Sequence, residues 1–273
     1  MSPGIYEVLD AKLEVAERPK AGELPPGGGE VVFDNVTFGY APDKPVLRDI
    51  NLKVEPGSFI ALVGHTGAGK TTLVSLIPRF YDVQAGAIRI DGVDIRDMAL
   101  DSLRRNVALI FQETFLFSLS VRDNIAYGRP DSSLEEIVAC AKAAQAHDFI
   151  NELDEGYDTI IGERGVTLSG GQRQRVAIAR AILANPRILV MDDATASVDS
   201  ATERLIQAAL IELTRNRTTF VIAHRISTVR RADRIVVIES GKIVETGRHE
   251  ELLAAGGVYR DVYDIQLAEA LEK

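Results

Sequence analysis

One glycine-rich stretch, residues 64–71, constrains this chain more than any other part of its sequence. It reads Gly-His-Thr-Gly-Ala-Gly-Lys-Thr and lies between an apolar run at residues 58–63 and a helix-compatible run at residues 71–80. Glycine permits backbone conformations that a Cβ atom would block, so successive N–H groups can face an anion. A strand, a glycine-rich turn and a helix in this order are the context that a phosphate-binding loop requires. The sequence therefore predicts an α/β fold that binds a nucleoside triphosphate at this turn.

Each polar residue of this loop has an expected role. Lys70 is expected to reach the β- and γ-phosphates, and the Thr71 hydroxyl to bind Mg²⁺. The helix that follows adds positive potential at its N-terminus. The residues predicted to contact the nucleotide here are Gly64, His65, Thr66, Gly67, Ala68, Gly69, Lys70, Thr71 and Thr72.

A second apolar run ends in a carboxylate. Residues 188–191 are Ile-Leu-Val-Met, and Asp192 follows them directly. Parallel sheets gather their ligands at the carboxyl ends of their strands, which is where this side chain would lie. Asp192 is therefore predicted to bind Mg²⁺, directly or through water.

A third motif, Ser169-Gly170-Gly171-Gln172, precedes a long helix-compatible stretch at residues 173–183. Serine is a favoured N-cap residue, and the glycines allow an anion to approach the start of the helix. Taken alone, the motif is better explained by an ordinary capped helix.

In this order along the chain, the three motifs resemble those of ATP-binding cassette (ABC) ATPases, and residues 31–273 resemble the nucleotide-binding domain of an ABC exporter. The resemblance implies that Ser169, Gly170, Gly171 and Gln172 contact ATP held by a second domain. It also implies that Tyr40 stacks on adenine, that Gln112 lies near Mg²⁺ and the attacking water, and that His224 senses the γ-phosphate. ATP and Mg²⁺ are the expected cofactors.

The resemblance further implies the partners of the chain. Residues 162–165 look like the exporter loop that contacts coupling helices of a membrane domain, and Gln112 is expected to contact the same helices. Within this loop Glu163 and Arg164 carry the charges. Residues 197–199, Ser-Val-Asp, match a loop that touches the opposite nucleotide-binding domain. The expected location is the cytoplasmic face of the cell membrane, as the cytosolic domain of a membrane protein.

Asp193 departs from the family pattern, which has Glu directly after the Mg²⁺ aspartate. Aspartate is one methylene shorter, so its carboxylate lies about 1 Å or more further from a water that it should orient, and such a displacement can cost on the order of 10²-fold in rate. In heterodimeric exporters a site with this change is typically the slow one. We therefore expect slow hydrolysis here and a heterodimer whose partner carries Glu. The alternative is a homodimer in which Asp193 works through a modest adjustment of the backbone.

Composition sets further bounds. The 273 residues are 46% hydrophobic, enough for a sizeable α/β core, and the net charge of −9 argues against a nucleic-acid partner. The single cysteine, Cys140, lies in an apolar helix-like context that favours packing over reactivity. No apolar run reaches the roughly 20 residues that span a bilayer, so any membrane spans would lie outside this sequence. Residues 3–9 resemble the segment that leaves the last membrane helix of single-chain exporters.

The expected architecture is a P-loop NTPase (RecA-like) core with a parallel sheet, an antiparallel β subdomain and an inserted α-helical subdomain at about residues 113–183. Residues 1–30 are expected to be a linker, and residues 31–273 the ABC domain. Alternation from residue 32 to 38 predicts Val36 and Phe38 on one face and Phe33 on the other. Ser240-Gly241 predicts a two-residue hairpin turn.

Two alternatives stay open. A soluble ABC ATPase outside transport would usually carry long coiled-coil insertions or tandem cassettes, and neither is visible. A regulatory nucleotide-binding half with little catalysis is supported by Asp193, whereas Gln112 and His224 favour retained activity.

Overall fold

The computed structural model describes residues 15–111, 114–162, 167–192 and 200–271, which contain ten strands and ten α-helices. The strands are β1 (Val31–Phe38), β2 (Leu47–Val54), β3 (Phe59–Val63), β4 (Ala85–Ile90), β5 (Val93–Asp94), β6 (Val107–Ile110), β7 (Ile188–Asp192), β8 (Thr218–Ile222), β9 (Arg234–Glu239) and β10 (Lys242–Gly247). The helices are α1 (Lys70–Ser75), α2 (Leu100–Arg105), α3 (Val121–Ala126), α4 (Leu134–Ala143), α5 (His147–Asn151), α6 (Gly170–Ala184), α7 (Ser200–Thr214), α8 (Ile226–Arg230), α9 (His249–Ala255) and α10 (Val258–Leu271).

The strands form two sheets. The six-stranded sheet has the order β10-β9-β3-β8-β7-β6, with β10 antiparallel to β9 and the other five strands parallel. The four-stranded antiparallel sheet has the order β2-β1-β4-β5. This arrangement confirms the predicted P-loop NTPase core with an added antiparallel sheet.

Strand β1 differs from its predicted alternation. Phe33, Val36 and Phe38 are all buried, although Phe33 was expected on the opposite face from the other two. The register of β1 shifts against both neighbouring strands around Asn35, whose φ is 49°. An extra residue in a strand reverses the side-chain phase beyond it. The expectation for this strand was therefore wrong, because a bulge cannot be seen in the alternation of side chains.

Two buried clusters form the core, on opposite faces of the six-stranded sheet. Strand β3 shows the division: Ile60 and Leu62 belong to the cluster shared with the antiparallel sheet, and Ala61 and Val63 to the cluster shared with α6 and α7. A parallel strand covered on both faces reads as a continuous apolar run, which is why residues 58–63 were recognisable.

Helices α3, α4, α5 and α6 lie between residues 121 and 184, within the stretch predicted to be helical. They pack on one another, with α6 in contact with both α3 and α4. The boundaries of a helical subdomain remain a prediction. Among the residues described, no helix combines the length and apolar character needed to cross a bilayer.

Candidate nucleotide site

The phosphate loop connects β3, which lies between β8 and β9, to α1. Its glycines adopt backbone conformations that other residues avoid, with φ of 148° at Gly64, 82° at Gly67 and 109° at Gly69. A Cβ atom at Gly64 would lie 2.1 Å from the carbonyl oxygen of Ile238. Glycine is therefore required at this position both for its backbone angles and for space.

The turn between β9 and β10 supports the same loop. Ser240 and Gly241 have φ of 50° and 78°, and Glu239 pairs with Lys242 across them. These values confirm the predicted two-residue hairpin turn. The Gly241 N–H donates a hydrogen bond of 3.1 Å to the carbonyl of Ala68, so the hairpin holds the loop in place.

Lys70 lies along the loop rather than pointing into solvent. Its side chain is 8% exposed, and Nζ donates hydrogen bonds to the carbonyls of Gly64 at 2.7 Å and His65 at 3.0 Å. Burial lowers the pKa of the Lys70 ammonium, and the negative charge of Asp192 acts in the opposite direction. A cation held over an open glycine-rich loop is suited to binding phosphate oxygens.

Asp192 is the last residue of β7, and it pairs with Ile222 of β8. Two residues beyond Ile222, His224 places Nε2 3.5 Å from Asp192 Oδ1. Asp192 and Thr71 line one cavity between β7 and α1. The structure therefore brings Lys70, Thr71, Asp192 and His224 together at the carboxyl edge of the parallel sheet.

The donor set of this edge fits Mg²⁺ held jointly with phosphates. Thr71 offers a hydroxyl and Asp192 a carboxylate, which are hard oxygen ligands. The described residues contain no group of three or more His, Cys, Asp or Glu side chains that could hold a metal. Mg²⁺ usually keeps several waters and takes one or two protein carboxylates together with substrate phosphates, so a sparse protein donor set is appropriate.

Tyr40 lies beside the phosphate loop. Its ring is 59% exposed, and its hydroxyl is 3.2 Å from Thr72 Oγ1. The rings of Phe38 and Tyr81 both contact it, each nearly perpendicular to it. An aromatic face at this place can stack on a nucleotide base whose phosphates lie on the loop.

The Ser169 motif forms the start of α6 as a capping box, as the sequence predicted for the N-cap. The Gln172 N–H donates to Ser169 Oγ at 3.2 Å, and the Ser169 N–H donates to Gln172 Oε1 at 2.9 Å. Gly170 is exposed and Gly171 is buried. Among the described residues, no hydrogen bond or ion pair joins this turn to the phosphate loop or to Asp192.

Several residues that were predicted to belong to the site lie outside the residues that the structure describes. The site geometry given above therefore does not include them. They are Gln112, Glu163, Arg164, Asp193 and residues 197–199.

A cluster of aromatic side chains forms around Phe117, and it was not predicted from the sequence. Phe117 stacks on Tyr127 with ring centroids 4.2 Å apart, and Phe115 meets Phe117 edge to face. The Arg180 guanidinium lies over the rings of Phe117 and Tyr127. Phe115 and Tyr127 are 57% and 55% exposed. The signal available in the sequence was the closely spaced pair Phe115 and Phe117, in a stretch without core periodicity.

Comparisons with known proteins agree with this geometry. Residues 47–196 match the family described as ABC transporter. The chain is 52% identical over 265 residues to an ATP-dependent lipid A-core flippase of Syntrophus aciditrophicus (strain SB), covering 97% of this chain and 44% of that protein. It is 51% identical over 263 residues to the putative multidrug export ATP-binding/permease protein YgaD of Bacillus subtilis (strain 168), covering 96% of this chain and 45% of that protein.

A solved structure gives the same result. The structure of a bacterial Atm1-family ABC exporter with ATP bound superposes with a TM-score of 0.89 at 43% identity, over 96% of this chain and 46% of that chain. The chain thus spans less than half the length of the relatives that it matches. With the phosphate loop, the Asp192 edge and the capped Ser169 turn in place, we conclude that the chain belongs to the ABC transporter family, as an ATPase domain of that family.

Proposed function

We propose that this chain binds MgATP and hydrolyses it to power export across a membrane, as the nucleotide-binding domain of an ABC exporter. The observation that carries the proposal is the convergence of Lys70, Thr71, Asp192 and His224 on one edge of the sheet. These side chains supply a cation, a hydroxyl, a carboxylate and an imidazole, which are the groups that phosphoryl transfer uses for positioning and for charge stabilisation.

Each residue of the site has a separate role in binding or hydrolysing ATP. Lys70 binds the β- and γ-phosphates, and Thr71 and Asp192 hold Mg²⁺, which neutralises charge on the phosphates when it is bound. Tyr40 stacks on the adenine. His224 lies beside Asp192 and reads the presence of the γ-phosphate. Gln112 orients the attacking water and reports on it to the membrane domain.

The Ser169 motif acts on a second nucleotide-binding domain. Gly170 is exposed at the start of α6, and among the described residues no hydrogen bond joins this turn to the chain's own phosphate loop, which supports a role across an interface. Two domains meet head to tail, and each ATP lies between the loop of one and the Ser169 motif of the other. Contacts formed only when the γ-phosphate is present supply the differential affinity that drives closure and reopening.

Asp193 supports a heterodimer in which this chain holds the slower site. Its carboxylate is one methylene short of the usual Glu, so water is oriented poorly at this site. The capped and regular Ser169 turn then serves the partner's site, where Glu is expected. A second candidate function, a regulatory half with almost no turnover, is favoured by the same residue.

Coupling to a membrane domain uses the Gln112 and Glu163 loops, and it places the chain on the cytoplasmic face of a membrane. The aromatic cluster supports this assignment, because its exposed rings, Phe115 and Tyr127, are available to a partner and Phe115 lies three residues after Gln112 in the sequence. Exposed aromatic groups beside a polar rim are typical of protein interfaces.

The proposal is tested by calorimetric titration of the chain with MgATP. Lys70→Ala should weaken ATP binding by about tenfold or more, because it removes a buried charged contact to phosphate. Lys142→Ala is the matched control, because Lys142 is an exposed lysine on α4, and it should bind ATP as the wild type does. Equal affinity of wild type and Lys70→Ala would refute the assignment of the loop.

A further inference from the structure

Three aromatic rings cluster beside the phosphate loop, and Tyr40 is the most exposed of them. Tyr40 is 59% exposed, Phe38 is 4% exposed and Tyr81 is half-buried. The Phe38–Tyr40 and Tyr40–Tyr81 centroid distances are both 5.2 Å, with ring planes at 84° and 86°. Phe38 and Tyr81 also contact each other at 5.4 Å. Each ring of the trio therefore contacts both others.

This arrangement fixes the plane of Tyr40. Edge-to-face contacts favour a defined ring orientation, because the positive edge of one ring meets the negative face of another. Two such contacts and the hydroxyl contact to Thr72 Oγ1 restrain the side chain from different sides. The turn that carries Tyr40 has little freedom of its own, since a Cβ atom at Gly39 would lie 2.2 Å from the carbonyl oxygen of Lys44.

Tyr81 is itself held by a strained and buried turn. Arg79 has φ of 53° and a side chain that is 2% exposed. Its Nε and Nη2 atoms donate to the two carboxylate oxygens of Asp82 at 2.6 and 2.9 Å, and Nη2 also donates to the carbonyl of Ala16 at 2.9 Å. A non-glycine residue keeps such a backbone conformation only where its surroundings over-determine it. Arg79 and Asp82 therefore lie on either side of Tyr81 in the sequence, and their ion pair holds the turn that carries it.

We infer that Tyr81 is a positioning residue for base recognition: its ring holds Tyr40 in the plane in which Tyr40 stacks on the nucleotide base. The inference rests on the proposed nucleotide site. A side chain that is already immobilised loses less entropy when a ligand binds, so the bracing raises affinity for the base without a contact between Tyr81 and the nucleotide. Because the effect acts on the base alone, it separates base recognition from phosphate recognition.

The test compares a ligand with a base and a ligand without one. The chain is titrated calorimetrically with MgATP and with magnesium tripolyphosphate, which can occupy the phosphate loop but has no base. Tyr81→Leu should bind ATP roughly threefold to tenfold more weakly, the size expected when one side chain must be immobilised on binding. Its tripolyphosphate affinity should equal that of the wild type, which also shows that the loop has folded correctly. Tyr81→Phe keeps the ring and should restore ATP affinity.

Two further variants make the result decisive. Tyr40→Ala should lose ATP affinity selectively, and the double variant Tyr40→Ala/Tyr81→Leu should be no worse than Tyr40→Ala, since Tyr81 acts only through Tyr40. Tyr263→Leu, a half-buried tyrosine on α10, is the control and should behave as wild type. Wild-type ATP affinity in Tyr81→Leu, an equal loss for both ligands, or additive effects in the double variant would each overturn the inference.

The proposed function fails in a different way. If the wild-type chain binds neither ligand, the phosphate loop assignment is wrong and the inference falls with it. If the wild type binds both ligands and Tyr40→Ala discriminates between them while Tyr81→Leu does not, the nucleotide site stands and only the role of Tyr81 is refuted.

Discussion

His224 Nε2 lies 3.5 Å from Asp192 Oδ1, so an imidazole two residues beyond the end of β8 meets the carboxylate that ends the neighbouring parallel strand β7. The contact is possible because β7 and β8 are neighbours in register, with Asp192 opposite Ile222. It places an imidazole beside the proposed Mg²⁺ ligand at the point where the γ-phosphate is expected. In the proposed function, this pair links the sensing of the γ-phosphate to the Mg²⁺ site.

Removing this imidazole should affect turnover far more than binding. We expect His224→Ala to lower phosphate release by roughly 10²-fold, the loss typical of one missing stabilising group at a transition state. ATP affinity should change by less than about threefold, because Lys70 and the loop remain. Steady-state phosphate release and calorimetric titration give the two quantities. His147→Ala, on α5, is the control histidine, and a similar fall in that variant would show that the effect is not specific to the site.

Asp193, the residue after Asp192, should limit the rate of ATP hydrolysis. Asp193→Glu restores the reach of the carboxylate and should raise phosphate release by up to about 10²-fold when the opposing Ser169 motif is intact. Asp193→Asn keeps the size of the side chain but removes its charge, and it should lower the remaining activity. Phosphate release at saturating MgATP compares the three forms. Wild-type turnover as fast as that of the Glu variant would rule out a slow site and leave an ordinary ATPase that uses aspartate.

A negative charge introduced at the start of α6 should weaken ATP-dependent dimerisation without changing how tightly the monomer binds ATP. Among the described residues, a Cβ atom at Gly170 would meet only Arg173 Nη2, at 4.0 Å, so Gly170→Asp has room there, whereas Gly171 is buried. We expect ATP-dependent association to weaken by at least about tenfold, because the carboxylate would face the γ-phosphate held by the partner. Monomer ATP affinity should be unchanged.

Gly170→Asn is the matched control, since it has the size of Asp without the charge. Sedimentation with saturating MgATP over a range of chain concentrations measures association, and the wild-type chain alone should associate only weakly. Loss of monomer ATP binding in Gly170→Asp would instead place the Ser169 motif at the chain's own site and exclude the head-to-tail arrangement.

The C-terminal helices should confer a pH-dependent stability. His249 is buried, and its Nδ1 lies 2.6 Å from the Tyr259 hydroxyl. Burial lowers the pKa of His249 below its ordinary value of 6.5, the positive charge of Arg230 acts in the same direction, and Glu250 opposes both. The unfolded chain therefore binds this proton at a higher pH than the folded chain does. Stability should fall as pH drops from about 6.5 towards the lowered folded-state pKa, and should then level off.

Urea unfolding followed by circular dichroism at pH 7.5 and pH 5.5 tests this. His249→Phe should cost about 1 kcal/mol at pH 7.5 through the lost hydrogen bond, yet it should show a smaller loss between the two pH values than the wild type. Tyr259→Phe removes the same hydrogen bond but keeps the histidine, so its pH dependence should persist. An unchanged pH dependence in His249→Phe would show that other groups are responsible.

The sequence by itself determined the features that depend on neighbouring residues. The phosphate loop follows from glycines that alone tolerate φ of 82° to 148°, and the capping box from Ser169 and Gln172 three residues apart. The Ser240-Gly241 turn is equally local. The buried strands could be located because both of their faces are covered, which leaves an uninterrupted apolar run. The family could be named because several such local motifs occur in one order.

Only the tertiary structure decided how these pieces meet. The bulge at Asn35 depends on how β1 pairs with its neighbouring strands. The position of β3 between β8 and β9 and the approach of His224 to Asp192 both bring together residues that are far apart in sequence. The contact of Tyr81 with Tyr40 is of the same kind, since 41 positions separate two rings that meet at 5.2 Å. Strand order and ring packing arise from the burial of apolar surface throughout the fold, and no local pattern encodes which distant partner a given side chain will contact.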